Sequence, residues 1–530
     1  MILRLVFPAL LLLVCAGCGS DKSGPGHSTI VTLTEGQAAG VPSPYDDQIT
    51  VYRGLPYAKP PVGDLRWQAP APAESWRGVR YADTFSESCY QPRHWDYFVW
   101  RREDFAVSEN CLYLNVWVPE DAQNLPVMVW FHGGSHISGQ GHSLIFDGTT
   151  LAKQDVLVVT VNYRLGPFGF LAHPWLSEIG DTGTSGNYGL MDSIAALQWV
   201  QRNADALGGD SGNVTIFGQS AGAQSVCSLM ASGRARGLFH KVIGQSASCL
   251  SSVATTDVNG YHRGSELVSK LGVKSAEELL AADADALLEA MVASNWQSET
   301  RITIDGYVLD EQPPEVFSSG AQARVPVMLG FLADEDEQFF PVTEAVTEAQ
   351  LDEFLTFVAG QRAAELKAQY DLADLTPGEL KGVISTDIYI ALGVQRWAEY
   401  QDAIGQPTYL YYMDHIPPAF HIYMPEQPFL DLPGGPRSGG AYHSGDLALV
   451  FGSTDKVGYD WTDEDRAVSE HMVRYWTNFA KTGNPNDPGE TEWGAFTRDS
   501  LNTQVINVSP ATVSGVKTRI LDILSHRQPL

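Results

Sequence analysis

Three features of this 530-residue chain predict an α/β fold with a mainly parallel sheet and helices on both faces. Four short runs are almost continuously apolar, helix-like stretches lie between them, and a Gly-x-Ser-x-Gly pentapeptide follows one of the runs. The runs are 126–131 (PVMVWF), 156–161 (VLVVTV), 214–217 (VTIF) and 325–332 (VPVMLGFL). Strands covered on both faces lose the apolar/polar alternation of half-exposed ones, so continuous runs point to a sheet buried between layers. Strand–helix alternation then favours parallel pairing.

The helical assignments follow from periodicity. Residues 189–207 (GLMDSIAALQWVQRNADAL) and 221–230 repeat apolar positions at helical spacing. Residues 264–294 (including SELVSKL and AEELLAADADALLEAMVAS) read as an amphipathic helical insertion over the sheet, and 370–400 looks similar. No linker, repeat or low-complexity block divides residues 29–530, which read as a single domain.

The first 28 residues read as an address. Arg4 precedes an apolar run, 5–17, which is too short to span a bilayer and fits a signal-peptide core. Val14-Cys15-Ala16-Gly17-Cys18 resembles a bacterial lipobox, with Cys15 where Leu is preferred. Residues 1–17 are therefore expected to be a leader and Cys18 an acylation site, with plain signal cleavage as the alternative. Residues 18–28 would be a flexible tether, rich in Gly and Ser. The expected location is outside the cytoplasm, as a periplasmic or cell-surface lipoprotein or alternatively a secreted protein.

Four cysteines remain after such processing. Exported chains tolerate disulfides, and four thiols allow three connectivities. The favoured bond is Cys89 with Cys111, closing a loop rich in aromatic residues. Cys227 and Cys249 stand either as a second bond or as two buried free thiols.

Charge excludes one class of function. There are 34 basic and 63 acidic residues, a net charge of −29. Phosphate backbones and anionic lipid are held by clustered Lys and Arg, so nucleic-acid binding is not expected, nor membrane contact beyond the lipid anchor. No His-Glu-x-x-His, phosphate loop or dinucleotide fingerprint occurs, so neither metal nor cofactor is expected.

Gly218-Gln219-Ser220-Ala221-Gly222 carries the chemistry. A strand, a sharp turn and a helix in that order push a serine Oγ out of the sheet, and the flanking glycines leave room for the tight backbone. Around it the chain resembles the type-B carboxylesterases of the α/β-hydrolase superfamily, the group that includes cholinesterases. Residues 208–222 are similar to the nucleophile signature, with Leu207 where Phe is usual. Residues 109–116 (ENCLYLNV) are similar to the second signature, with Asn110 for Asp. Residues 54–58 (GLPYA), 162–166 (NYRLG) and 475–479 (YWTNF) also match the family pattern.

The resemblance implies an α/β-hydrolase fold and a serine esterase acting on neutral small-molecule esters through an acyl-enzyme. Ser220 is the expected nucleophile and His443, in 442–452 (YHSGDLALVFG), the expected base. There Asp446 replaces the usual Glu, read as a peripheral difference. His415 and His421 lack such a context and read as loop or surface residues. Glu335 holds the acid position in 330–337 (GFLADEDE), with Asp334 as the alternative because Asp336 replaces the family Gly.

Oxyanion donors are expected from the N–H groups of Gly134, Ser135 and Ala221. The family's third Gly and following aromatic are here Ser135 and His136, and a side chain at 135 is tolerable only with ordinary backbone torsion. Ser246 either hydrogen-bonds Glu335 or is a buried polar serine. Arg66–Glu109 and Arg164–Asp192 are implied as structural ion pairs. The loop between Cys89 and Cys111 holds Trp95, Tyr97, Phe98, Trp100 and Phe105, which either rim the site or pack. Neutral Gln219 and the Arg101-Arg102 pair count against choline esters. A lipase with the helical insertion as lid, and a non-catalytic binding protein on the same scaffold, are the competing readings.

Overall fold

The computed structural model describes residues 29–526, apart from 95–97, 104, 251–253, 256–258, 297–300, 336–345 and 371–374. Cys18, the leader and the whole of the tether lie outside the described residues, as do Trp95, Tyr97, Asp336 and Glu337.

One sheet of eleven strands organises the chain. In sequence order these are β1 (Val41–Ser43), β2 (Asp46–Pro56), β3 (Tyr113–Pro119), β4 (Leu125–Phe131), β5 (Leu157–Val161) and β6 (Gly209–Gln219). They continue as β7 (Lys241–Gln245), β8 (Val327–Leu332), β9 (Thr408–Met413), β10 (Asn502–Ile506) and β11 (Ala511–Ser514). Their spatial order is β1-β2-β3-β5-β4-β6-β7-β8-β9-β10-β11. From β5 through β10 every pairing is parallel, while the two flanks are antiparallel. The reversal at β5-β4-β6 is a topological switch, and open α/β sheets place their sites beyond the carboxyl ends of strands near such a point.

All four predicted strands form, two of them starting a residue or two later than the apolar run suggests. β6 is longer, because a register shift against β4 carries pairing back to Gly209. The sheet is buried on both faces. Along β4, Val127, Val129 and Phe131 enter one core and Met128 and Trp130 the other. Trp130 sits among Phe146, Phe217 and Phe451 at ring-centroid distances of 5.1, 4.8 and 5.1 Å. Aromatic side chains give the largest apolar burial per residue, so this cluster anchors the layer beneath β4 and β6.

The helices that matter for the site are α1 (Tyr188–Asn203), α2 (Ala221–Ala231) and the insertion helices α3 (Tyr261–Leu271) and α4 (Ala284–Ala293). The helical insertion expected over 264–294 is built from separate helices, with a short one, Ala276–Leu280, between α3 and α4. Gly272 ends α3 at φ +82°, and the Ser275 and Asp283 side chains cap the helices that follow. Further on, Pro377–Thr386 and Leu392–Ala403 are joined by a π-helical turn, Asp387–Ala391.

Both disulfides form. Cys89–Cys111 and Cys227–Cys249 have Cα–Cα distances of 4.9 and 5.5 Å. The second tethers α2 to the segment leaving β7. No helix among the described residues is long and apolar enough to cross a membrane.

Candidate active site

The turn between β6 and α2 is bent as the pentapeptide requires. Ser220 has φ +57° and ψ −125°, a conformation that costs an L-residue on the order of 1–3 kcal/mol and persists only when its surroundings enforce it. Its N–H donates to the Gln245 carbonyl at 2.9 Å and its carbonyl accepts the Gln224 N–H at 3.0 Å. The two glycines are sterically required. A Cβ on Gly218 would lie 2.5 Å from the Gly222 carbonyl carbon, and one on Gly222 would collide with the Phe131 carbonyl oxygen.

His443 is 1% exposed, and its Nδ1 lies 2.5 Å from Glu335 Oε2. Glu335 Oε1 accepts the Leu332 N–H at 2.9 Å, which fixes the carboxylate at the end of β8. Asp334 does different work: its Oδ2 accepts the Ala441 N–H at 2.7 Å and so caps the loop that carries His443. Gln219 Nε2 donates to the His443 carbonyl at 2.7 Å, joining that loop to the residue before Ser220.

The segment after β4 folds over Ser220. A Cβ on Gly133 would sit 3.1 Å from Ser220 Cβ. Gly134, Ser135 and His136 all have positive φ, at +108°, +55° and +56°. Ser135 therefore does not have the ordinary torsion that a side chain there calls for. Its side chain is exposed, which removes steric conflict but leaves the left-handed backbone cost. The N–H groups of Gly134, Ser135 and Ala221 engage no acceptor among the described residues.

The arrangement combines a serine on a strained elbow with a buried His–carboxylate pair and a run of backbone N–H groups. The Carboxylesterase family model matches residues 27–522. The para-nitrobenzyl esterase of Bacillus subtilis (strain 168) is 35% identical over 90% of this chain and 94% of its own. Human carboxylesterase 5A is 32% identical over 92% and 87%. Among solved structures, a PNB esterase superposes with TM-score 0.78 at 32% identity, covering 94% of this chain and 100% of that one. A Geobacillus stearothermophilus carboxylesterase reaches 0.80 at 30% identity, covering 94% and 100%.

The chain belongs to the carboxylesterase family. This carboxylesterase has the α/β-hydrolase fold and is a serine carboxylic-ester hydrolase whose substrates are small-molecule esters.

The structure decides several side chains of the carboxylesterase that the sequence left open, and Ser246 follows the second of its two readings. Ser246 is fully buried, and its Oγ has no hydrogen-bond partner among the described residues, so it is not bonded to Glu335. Its backbone explains this: φ is +57° and its N–H is committed to the Gly330 carbonyl at 2.8 Å. Asp446 is not peripheral. It is fully buried, with Oδ2 accepting from Gln245 Nε2 at 2.7 Å and facing the Tyr411 hydroxyl at 3.4 Å. Burial, abetted by the Glu335 charge, pushes its carboxyl up to about 7. His421 is in a loop but buried, held by the Gln427 carbonyl at 3.0 Å, and His415 sits on Asp465 at 2.6 Å. Polar groups removed from water need such partners, which explains both contacts.

The implied ion pairs form. Arg66 engages Glu109, and Arg164 grips Asp192 through Nε and Nη2 at 2.8 and 2.7 Å. Gln91 was missed from the sequence. It takes the Gly139 N–H at 2.8 Å and Arg102 Nη1 at 2.5 Å on one oxygen, tying the disulfide loop to the segment over Ser220. Within that loop Trp100 stands edge-on to His443, ring centroids 6.2 Å apart, while Phe105 packs against Arg102 at 5.5 Å. The aromatic loop thus both packs and reaches the base.

Proposed function

We propose that Ser220, His443 and Glu335 are the triad of this serine esterase. Ser220 Oγ attacks the ester carbonyl as His443 Nε2 takes its proton, and Glu335 stabilises the imidazolium through Nδ1. The oxyanion is received by the N–H groups of Gly134, Ser135 and Ala221. His443 then protonates the departing alkoxide, and water, activated by the same imidazole, releases the acid from the acyl-enzyme.

The 2.5 Å contact between His443 Nδ1 and Glu335 Oε2 carries this reading, because it leaves Nε2 as the nitrogen to act on Ser220. The strained serine and the three unengaged N–H groups support it. Neutral esters are the favoured substrates: the residue before Ser220 is Gln219, and Trp100 offers an uncharged wall beside the base. Residues 29–530 would act as one unit. The lipobox-like leader and the two disulfides favour an exported enzyme held by an acylated Cys18.

The test is hydrolysis of p-nitrophenyl esters of increasing acyl length, wild type beside Ser220→Ala. Turnover that disappears in the variant supports the nucleophile, and the optimum length sizes the acyl pocket. Turnover that survives refutes it.

A further inference from the structure

Gly134-Ser135-His136 is where this chain departs most from the family's Gly-Gly-aromatic pattern, and it is also where its backbone is most constrained. A side chain held in left-handed backbone is strained, because its Cβ crowds the following carbonyl oxygen. Two in succession relax unless their surroundings over-determine them. Ser135 contributes little, since its side chain is exposed.

His136 is different. It is 2% exposed and held from several sides. Its carbonyl accepts the Gly166 N–H at 2.7 Å. Its Nε2 shares a hydrogen bond with Ser225 Oγ at 3.0 Å, about one turn along α2 from the elbow, and the Ala221 carbonyl is the ring's backbone acceptor. The rings of Phe170 and Tyr163 wall it at 5.0 and 6.4 Å. Burial first, then the charge of Arg301, push its pKa down to about 3, so the ring is neutral near pH 7.

We propose that His136 is a positioning residue of the oxyanion hole. Its imidazole, bonded to Ser225 and packed on Phe170, clamps the left-handed segment to the helix that supplies Ala221. The N–H groups of Gly134, Ser135 and Ala221 then keep a common focus. The proposal rests on Ser220 being the nucleophile. His136 touches no substrate and transfers no proton; it acts through the backbone it holds. A phenyl ring in its place would fill the space without reaching Ser225.

The experiment compares wild type, His136→Phe, His136→Gln, Ser225→Ala and Ser220→Ala on p-nitrophenyl acetate. It also measures affinity for a trifluoromethyl ketone, which forms a tetrahedral adduct at a serine nucleophile. His136→Phe is expected to lower kcat about 100-fold, with KM changed by less than about threefold. The ketone should weaken in parallel, because both read the donors' geometry. Ser225→Ala should move kcat the same way by about tenfold, the worth of one hydrogen bond. His136→Gln, whose amide can replace the lost contact, should recover at least part of the loss. Ser225→Ala removes a single hydroxyl and keeps the test decisive if His136→Phe does not fold. Wild-type kcat in a folded His136→Phe or in Ser225→Ala overturns the clamp, as does a loss that falls on KM alone. With Ser220→Ala inactive, those outcomes sink only the clamp. Turnover persisting in Ser220→Ala removes the reading on which it rests.

Discussion

The side-chain amide of Gln219 donates to the main-chain carbonyl of His443 at 2.7 Å, so the residue before Ser220 holds the backbone of the proposed base. Gln219 is 3% exposed. A glutamate there cannot donate unless protonated, and ionised it faces a carbonyl oxygen out of reach of water. Gln219→Glu is therefore expected to lower kcat/KM on p-nitrophenyl acetate by about 10- to 100-fold at pH 7, from a displaced base and a lost hydrogen bond. Undiminished kcat/KM in that variant would show that the contact is dispensable.

The two neighbouring carboxylates should separate cleanly. Glu335→Gln removes the negative charge behind His443 and is expected to lower kcat about 10⁴-fold, as a neutral partner no longer orients or stabilises the imidazolium. Asp334→Asn keeps an acceptor for the Ala441 N–H and should cost less than about tenfold. The reverse ranking would make Asp334 the acid and contradict the assignment.

Gly222 gives a structural prediction. A Cβ there meets the Phe131 carbonyl oxygen at the end of β4, a backbone atom that cannot move without disturbing the central pairing with β6. Gly222→Ala is expected to lose most soluble expression, or several degrees of Tm in whatever folds. A variant with unchanged Tm would mean that the elbow relaxes far more easily than its geometry implies.

These residues also mark how far a sequence can be read. The sheet was legible because strands covered on both faces have no polar positions to hide their period. The elbow was legible because its two glycines are fixed by contacts local to the turn. Asp446 was not: its partners Tyr411 and Gln245 lie 35 and 201 positions away, so its burial is a property of the assembled sheet. Gln91 was missed for the same reason, bonding to Gly139 from 48 positions away. The torsions of Ser135 and His136 were illegible for another cause. Nothing in residue type announces that a side-chain-bearing residue has been forced into a glycine's conformation. The break between α3 and α4 was, by contrast, written in Gly272 and the caps that follow it, and amphipathic periodicity masked it.

Stability against pH follows from groups buried in the wrong charge state for water. Burial pushes His132 and His136 down to about 3 and His142 to about 4. The unfolded chain takes up protons on these imidazoles below about pH 6.5 and the folded chain does not, so stability is lost as pH falls from 6.5 toward 4. Asp446, raised to about 7, works in the opposite direction. Its folded form keeps a proton that the unfolded form releases above about 3.9, so stability declines as pH rises through that window. Near pH 5 three imidazoles outweigh one carboxyl, and the urea midpoint is expected to be higher at pH 6.5 than at pH 5. Two variants divide the effect. His142→Gln should shallow the slope, since one proton fewer is taken up on unfolding. Asp446→Asn should steepen it, and should raise stability at pH 8 relative to pH 5 by more than in the wild type. A midpoint that is flat or falls from pH 5 to 6.5 would mean that these histidines are protonated in the fold, against the buried, neutral surroundings that the geometry gives them.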